Sequence, residues 1–566
     1  MKILTLHCDY VRFKPLKKAV KDAEELENKD EREIKECLVV LTAVEKGDTQ
    51  KEVNQLIEAV EKTTREVKTN NIVLYPYAHL SSNLAAPKIA LELLKNAEKS
   101  LAKKFNTTRA PFGYYKSFEL KCKGHPLAEL SKTFTAGSAK VVEEEYDIKN
   151  LLNQLSKSRL DTSKLKDYDH RIIGQKLDLF SFNESAPGAV FWHDNGNFIY
   201  NQLINFVRSI LNKFNYQEIS TPQILDSKLF KVSGHWTHYR DNMFLTSYEN
   251  RDFGVKPMNC PGAMLVYRTN VRSYKELPMR LAEFGIDHRQ ELSGVLTGLF
   301  RVIKLTQDDA HIFCTKEQIA QEISHILEVI RIIYKESFGF EYSLDLSTRP
   351  EKFLGDKKDW DDAEKILETV LKKSKAKYKI NKGDGAFYGP KIDLHITDSL
   401  KRQWQCATIQ LDMQMPKRFE LEYIDEKNER KTPFVIHRTI LGSLERFIGV
   451  LLEHTKGALP LWLSSRQVRV INLTERSEKA CEKFVSELKK AIPNLRVDTD
   501  YRSDTVQARI RDAELMKTNY IVVIGDKEEK NNTLAVRARG EKPKFGVKKN
   551  KFIEDLKQEL NHSQYS

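Results

Sequence analysis

Short alternating or apolar runs near the start of the chain predict strands over residues 2–6, 37–44, 72–77 and 114–121. Between the first two lies a Lys/Glu-rich stretch of helical composition, and residues 88–105 carry helical spacing. Ser81, Ser82 and Asn83 mark a turn. Residues 1–140 thus read as one compact unit, and the charged, Leu/Lys-rich segment 141–175 as a helical linker. A second unit, 176–463, begins with an amphipathic helix over about 197–214 that sets Ile199, Leu203, Phe206 and Ile210 on one face. Strands are predicted at 281–288 and 299–305, helices at 316–335 and 441–454. A third unit, 464–566, alternates strand (468–473), helix (477–491), strand (495–499), helix (505–516) and strand (520–524). That order implies a small α/β domain with a parallel or mixed sheet.

Composition narrows the class. A length of 566 residues suggests several domains, and 27 Phe, 21 Tyr and 5 Trp are ample core material that excludes a disordered chain. No run approaches the 18 or so apolar residues of a membrane-spanning helix, so no membrane association is expected. The seven cysteines are odd in number and scattered, which is no disulfide framework, and His7 and Asp9 break the N-terminal apolar run, which is no signal peptide. A reducing, cytoplasmic setting is the expectation. The net charge of +13 leans only weakly towards a polyanionic partner.

Neither a GxGxxG after a strand nor a GxxxxGK[ST] is present, so nucleotide chemistry needs another device. Three arginines are candidates: Arg289 in DHRQE, Arg301 in GLFRV and Arg446 in LGSLER. A planar guanidinium grips phosphate oxygens in pairs and stacks on purines. Arg289 and Glu291, two residues apart, would share one face of a strand. Taken singly, each arginine reads as an ordinary surface residue. The order and spacing of the set carry the information.

The segments KPMNCPG, RLAEFGIDHRQELSG, GLFRV, TQDDAHIFCT, GAFYGPKID, RQWQCATIQLD and VIHRTILGSLERFIGVLLEH together resemble a class II aminoacyl-tRNA synthetase, specifically the threonyl-tRNA synthetase family. The likeness runs nearly continuously over about 170–545. It implies a multidomain α+β and α/β protein with an antiparallel-sheet catalytic core flanked by helices. In the family the first class motif, here the helix and strand ending at Pro222 in QEISTP, forms a homodimer interface. The second motif falls on Arg289 and Glu291 and the third on the helix of Arg446. The resemblance further implies one zinc per subunit on Cys260, His311 and His437, whose separations of 51 and 126 residues fit no zinc-finger spacing. Three protein ligands leave room for the amine and hydroxyl of threonine, and valine lacks the hydroxyl. Asp309 would accept the hydroxyl's hydrogen bond, with Tyr388, Gln410, Gln307 and Lys391 beside the substrate. ATP with Mg²⁺ would be held by Arg289 at the α-phosphate and by Arg301 and Arg446 at the γ-phosphate end and the adenine. Ala263, Thr297 and Ile303 depart from the family's usual His, His and Arg.

Serine keeps the amine and hydroxyl and lacks one methyl, a difference of only about 1–3 kcal/mol, so editing is expected. NIVLYPYAHLSSNLAAP and TRAPFGYYKSFELKCKGHPLAELS resemble the editing domain of archaeal-type threonyl-tRNA synthetases, itself similar to D-aminoacyl-tRNA deacylases. By that likeness His79, Tyr115, Lys116 and Glu129 would line a site that hydrolyses seryl-tRNA. YIVVIGDKEEKNNTLAVRARG resembles the anticodon-binding domain of class IIa synthetases and puts Glu528 and Arg537 against anticodon bases. The expected function is ligation of L-threonine to tRNA(Thr) with zinc-mediated rejection of valine and editing of seryl-tRNA(Thr). The alternatives are a related synthetase for serine or proline, an RNA-binding paralogue without activity, and a copy that mainly edits.

Overall fold

The computed structural model describes every residue except 21, 22, 27, 82, 135–146, 156–163, 250, 375 and 564–566. Ser82 of the predicted turn and much of the predicted linker lie outside the described residues. The chain divides into two compact units, Met1–Asp147 and Ile148–Ser566.

The first unit is built on β1 (Lys2–Lys18), β2 (Arg32–Ala43), β3 (Asn71–Pro76), β4 (Asn106–Arg109), β5 (Tyr114–Cys122) and β6 (Glu129–Thr133). Their order is β4-β3-β2-β1-β5, with β6 continuing along the β1 edge. β2, β3 and β4 run parallel, and β1 is antiparallel to β2, β5 and β6. The parallel crossovers are the helices α1 (Gln50–Glu66) and α2 (Pro87–Leu101). Val53, Leu56 and Val60 of α1 and Leu94 and Ala97 of α2 close one core against Leu38, Val40, Ile72 and Leu74. The other sheet face carries Cys8, Val39, Val73 and Tyr75.

The Lys/Glu-rich stretch does not form the predicted helix. β1 continues to Lys18, β2 begins at Arg32, and the described residues between them have no regular structure. The reason is burial on alternate positions. Val11 and Phe13 are sealed in the core, while the charges between them pair across strands, as Arg12 Nη2 does with Glu33 at 2.6 Å.

In the second unit, α3 (Ile148–Leu155) and α4 (His170–Lys176) fall in the predicted linker. α5 (Asp194–Lys213) buries Ile199, Leu203, Phe206 and Ile210, as the spacing predicts. The central sheet joins β7 (Gln217–Glu218), β8 (Met279–His288), β9 (Lys304–Cys314), β10 (Glu341–Ser347), β11 (Tyr378–Asn381), β12 (Lys391–Thr397), β13 (Gln403–Asp412) and β14 (Phe434–Ser443). The eight strands lie in the order β11-β10-β12-β13-β14-β9-β8-β7. All pairs are antiparallel except the outermost at each edge. One face packs on α5, α7 (Ile319–Ile330) and α8 (Leu444–Thr455). On the other face α6 (Cys260–Arg268) brings Met264 and Tyr267 against Leu281, Phe313 and Val435.

Two boundaries differ from expectation. The predicted strand at 299–305 is a turn as far as Ile303, and β9 starts at Lys304. Its apolar character reflects a fully buried turn residue, Leu299, which packs so closely under α8 that a Cβ at Gly449 would come within 3.1 Å of the Leu299 Cβ. The helix predicted from 441 starts at Leu444, because β14 runs to Ser443, whose Oγ caps α8. The helix predicted over 316–335 is continuous from Lys316 to Ser337 with a wider π-type last segment.

The C-terminal sheet consists of β15 (Val468–Asn472), β16 (Val497–Asp500), β17 (Tyr520–Ile524), β18 (Thr533–Ala538) and β19 (Lys544–Lys548), ordered β16-β15-β17-β18-β19. The first three are parallel and the last two antiparallel, so of the parallel or mixed sheet that the pattern implied, the structure has the mixed one. No helix among the described residues is long and apolar enough to cross a membrane.

Candidate active site and metal centre

Period-two alternation along β9 turns Gln307, Asp309 and His311 to the face that also carries Phe313. His311 lies directly opposite His437 of β14, and His437 lies opposite Gln410 of β13. Cys260, in the first turn of α6, completes the cluster. One ligand atom from each of Cys260, His311 and His437 lies within 4.8 Å of the others, and all three residues are buried. His311 Nε2 is buried without a hydrogen-bond partner. His437 Nε2 sits 2.9 Å from Asp412 Oδ2, which leaves its Nδ1 for the cluster. Asp412 is itself fixed, its Oδ1 accepting from the backbone N–H groups of Gln414 (2.7 Å) and Met415 (3.0 Å).

Burial, and then Asp309, pushes the Cys260 thiol well above its ordinary range. Burial, and then His437, pushes His311 well below its own. A divalent cation reverses this logic by taking a thiolate and neutral imidazoles. The donor set, the unpartnered nitrogen and the carboxylate behind His437 fit a zinc ion with an open position. Asp169, His170 and Glu453 also gather metal-type donors, but both His170 nitrogens are already hydrogen-bonded.

Around this centre, Asn259 Nδ2 donates to Asp309 Oδ2 at 3.3 Å and approaches Asp287 Oδ2 at 3.4 Å. A Cβ at Gly285 would stand 2.1 Å from the Asn259 side-chain oxygen Oδ1, so any side chain there would displace the buried amide. Burial raises the Asp309 carboxyl to about 6 against the pull of His437, and raises Asp287 to about 8. The Tyr388 ring lies 5.5 Å from that of His437, and Gln410 Nε2 donates to Gly389 O at 3.3 Å. His235 is also close: its Nε2 is 3.2 Å from Met258 Sδ, and burial, then His437, lowers its pKa to about 4. Sequence reasoning missed Asn259, Asp412 and His235. Asn259 is the chain neighbour of Cys260, but nothing in its identity announces a role, and no local spacing links Asp412 or His235 to the three ligands.

The arginines gather beside the centre. Arg289 lies just past the end of β8, donating from Nε to Pro257 O (3.1 Å) and from Nη2 to Gln307 Oε1 (3.4 Å). Glu291 accepts from Arg301 Nη2 at 2.8 Å and Nε at 3.0 Å. Arg446, in the first turn of α8, donates from Nε to Phe300 O at 2.9 Å. Burial lowers the Arg446 pKa, and the positive charges of Arg301 and Arg289 add to it. Lys391 Nζ pairs with Asp393 at 2.7 Å and Asp384 at 3.3 Å. Of the departures, Ala263 is sealed inside α6, Thr297 bonds the backbone of Arg301, and Ile303 O accepts from the Arg289 N–H at 2.9 Å.

In the first unit, Lys116 Nζ donates to Pro111 O (2.9 Å) and Tyr114 O (3.1 Å) and lies 5.1 Å over the Tyr75 ring. Burial, with Arg109 adding to it and Glu24 opposing, brings its amine down to about 8. Tyr75, Tyr77 and Phe118 form an aromatic cluster, and the exposed His79 ring packs edge-on to Tyr77 at 5.4 Å. The cluster stands at the C-terminal end of β3, where parallel strands commonly present ligand sites. Tyr115 precedes Lys116 on β5, so alternation turns it the other way, and Lys17 covers its ring at 5.5 Å. Glu129 pairs with Leu6 of β1 while Lys116 pairs with Pro15, so the two stand apart along one edge, roughly 30 Å if the strand ran straight. Glu129 lies instead beside Cys122, whose thiol burial and this carboxylate both raise. In the C-terminal sheet, Glu528 Oε2 caps its own short helix through Gly525 N at 3.1 Å, and Arg537 pairs with Glu514.

Residues 244–455 match the class II core domain of tRNA synthetases (G, H, P, S and T), and residues 467–559 match an anticodon-binding domain. Together with the antiparallel sheet and the converging arginines, these matches define the core architecture of the class II aminoacyl-tRNA synthetases. Residues 1–134 match the Archaea-specific editing domain of threonyl-tRNA synthetase. A threonine–tRNA ligase from Clostridium tetani is 47% identical over 413 residues, 72% of this chain and 64% of the relative. The chain thus spans a little under two thirds of the length of such curated relatives. A solved structure described as the RNA-binding domain of threonyl-tRNA synthetase from Cryptosporidium parvum is 40% identical, with a TM-score of 0.67 over 70% of this chain and 99% of that one. A putative threonyl-tRNA synthetase from Aeropyrum pernix is 28% identical, with a TM-score of 0.62 over 70% of this chain and 96% of that one. The chain belongs to the threonyl-tRNA synthetase family.

Proposed function

We propose that the chain ligates L-threonine to tRNA(Thr) through a threonyl-adenylate, using ATP with Mg²⁺, and that its first unit hydrolyses seryl-tRNA(Thr). The observation that carries the reading is the meeting of Cys260, His311 and His437 with Asp309 on one sheet face, next to Arg289. Zinc, when bound there, supplies an open coordination position for a substrate that carries both an amine and a hydroxyl. Asp309 accepts the hydroxyl hydrogen bond and so disfavours valine, which leaves that carboxylate unpaired. Tyr388 and Gln410 wall the substrate. Arg289 holds the α-phosphate against the attacking carboxylate and stabilises the charge that develops in the displacement. Arg301, steadied by Glu291, and Arg446 hold the remainder of ATP, and Lys391 stands on Asp393 at the substrate's edge. Catalysis is positioning and electrostatics, with no protein nucleophile.

In the first unit, Lys116 anchors the ester end of seryl-tRNA electrostatically, and the Phe118 and Tyr77 rings with His79, backed by the buried Tyr75, offer a surface for the terminal base. Glu528 and Arg537 contribute to anticodon recognition, and the helix and strand around α5 and β7 to a homodimer. The units are taken as 1–140, 141–175, 176–463 and 464–566 for editing, linking, catalysis and anticodon binding.

The test is amino-acid-dependent ATP–pyrophosphate exchange on metal-assayed protein. Strong exchange with threonine, weaker with serine and none with valine, with one zinc per chain, supports the reading. A zinc-loaded protein that exchanges with none of them defeats it.

A further inference from the structure

His170 is fully buried, opens α4 and contacts none of the groups placed around the substrate. Its ring nevertheless joins two of the elements that carry ATP-binding arginines. Nδ1 lies 2.7 Å from Glu453 Oε1 in the last turn of α8, the helix of Arg446. Nε2 lies 3.0 Å from the backbone nitrogen of Leu299. A backbone N–H can only donate, so Nε2 is the acceptor and Nδ1 carries the proton given to Glu453. The ring also packs on Phe300 at 4.2 Å, and Phe300 packs on Trp404 at 4.3 Å from its other neighbour. Phe300 O is the acceptor for Arg446 Nε, and the next residue is Arg301. The turn approaches the imidazole so closely that Gly298, at φ +51°, has no room for a side chain: a Cβ there would stand 2.2 Å from Nε2.

Glu453 does not depend on His170 alone. Its Oε2 accepts from Arg402 Nη2 at 2.5 Å, and its Oε1 also accepts the His170 backbone N–H at 3.0 Å. The carboxylate is therefore an anchored post, and the imidazole is the link from it to the turn at residues 297–301.

We propose that His170 is a positioning residue for ATP: it fixes the turn bearing Phe300 and Arg301 to α8, and thereby sets Arg301 and Arg446 in mutual register for one triphosphate. This inference rests on the ATP-dependent reading above. The acceptor at Nε2, rather than the ring's bulk, is the working group.

The experiment compares His170→Gln with His170→Asn in the full, zinc-loaded chain. Gln reaches the Nε2 position with an amide oxygen and can still receive the Leu299 N–H. Asn reproduces only the Nδ1 side. The expected result is an ATP KM in pyrophosphate exchange raised about five- to tenfold in His170→Asn, the scale of one hydrogen bond, and near wild type in His170→Gln. The threonine KM, zinc content and melting temperature should stay alike in the two. Gly298→Ala keeps the histidine and pushes the turn away, and should raise the ATP KM as His170→Asn does. An unchanged ATP KM in His170→Asn overturns the proposal, and so does equal loss in Asn and Gln variants accompanied by equal loss of melting temperature. Calorimetric binding of a non-hydrolysable ATP analogue gives the same comparison without turnover. If wild type binds the analogue but shows no threonine-dependent exchange, the ligase reading fails while the role of His170 is still decided.

Discussion

Asp412 stands behind His437, its Oδ2 2.9 Å from the imidazole Nε2 and its Oδ1 locked by two backbone N–H groups. This carboxylate orients the ring and keeps its Nδ1 facing Cys260 and His311. Asp412→Ala should lower zinc affinity by about 10–100-fold and raise the threonine KM with it, while ATP binding is spared. Metal content after graded chelation, alongside threonine-dependent exchange, checks this. Full zinc retention at every chelator level would contradict it.

Lys116 gives the first unit a pH signature. Its amine is brought down to about 8 from 10.5, chiefly by burial, so the cation is present below pH 8 and lost as pH rises through it. If the cation anchors the substrate, seryl-tRNA hydrolysis falls across that limb. Lys116→Met should abolish hydrolysis at all pH values, and Lys116→Arg should move the limb out of range. For stability the sign is opposite: the unfolded chain binds the extra proton between about pH 8 and 10.5, so this group's contribution rises over that window. A pH–rate profile of the full chain with seryl-tRNA(Thr) reads the first effect.

The buried pair Lys256–Glu283, 2.9 Å apart and shared with Thr221 Oγ1 at 2.8 Å from Lys256, braces the segment leading into Cys260. Lys256→Met strands the Glu283 carboxylate and should cost about 3–5 kcal/mol. Lys256→Met/Glu283→Gln should recover part of it. Thermal melting of the four-member cycle measures the coupling, and additive losses would show that the pair does not act as one.

Removing Met1–Asp147, a compact unit by its own contacts, should leave threonine activation intact and let seryl-tRNA(Thr) accumulate. Serine-dependent mischarging assays check it. Continued clearance of seryl-tRNA by the truncated chain would put editing elsewhere.

The parts of this architecture legible from sequence are those written locally. Ile199, Leu203, Phe206 and Ile210 show their buried face by spacing alone. The C-terminal alternation of strands and helices shows an α/β domain, although the two antiparallel strands that make its sheet mixed go beyond that alternation. The stretch after Leu6 misleads because its composition favours helix, while its fate is set by Val11 and Phe13 being buried between β2 and β5, the second of them a partner far along the chain. The 299–305 run reads as a strand because Leu299 is apolar, but it is apolar for capping the core beneath α8. The candidate metal-ligand cluster is the extreme case. Cys260, His311 and His437 come from a helix start and two strands, and spacing alone could not join them. Family resemblance named those three, whereas Asp412, Asn259 and His170 became visible only through contacts.

His311 and His437 face each other across neighbouring antiparallel strands, on the same side of the sheet. Slipping either strand by one residue would send one imidazole to the opposite face, packed on α5, α7 and α8. Whatever binds both rings therefore acts as a gauge of correct assembly: it can be held only by a molecule in which β9 and β14 have met in this alignment. A metal determination on purified protein then counts correctly zipped molecules as well as active sites, and a sub-stoichiometric value that survives metal resupply would report a misaligned fraction rather than a weak ligand set.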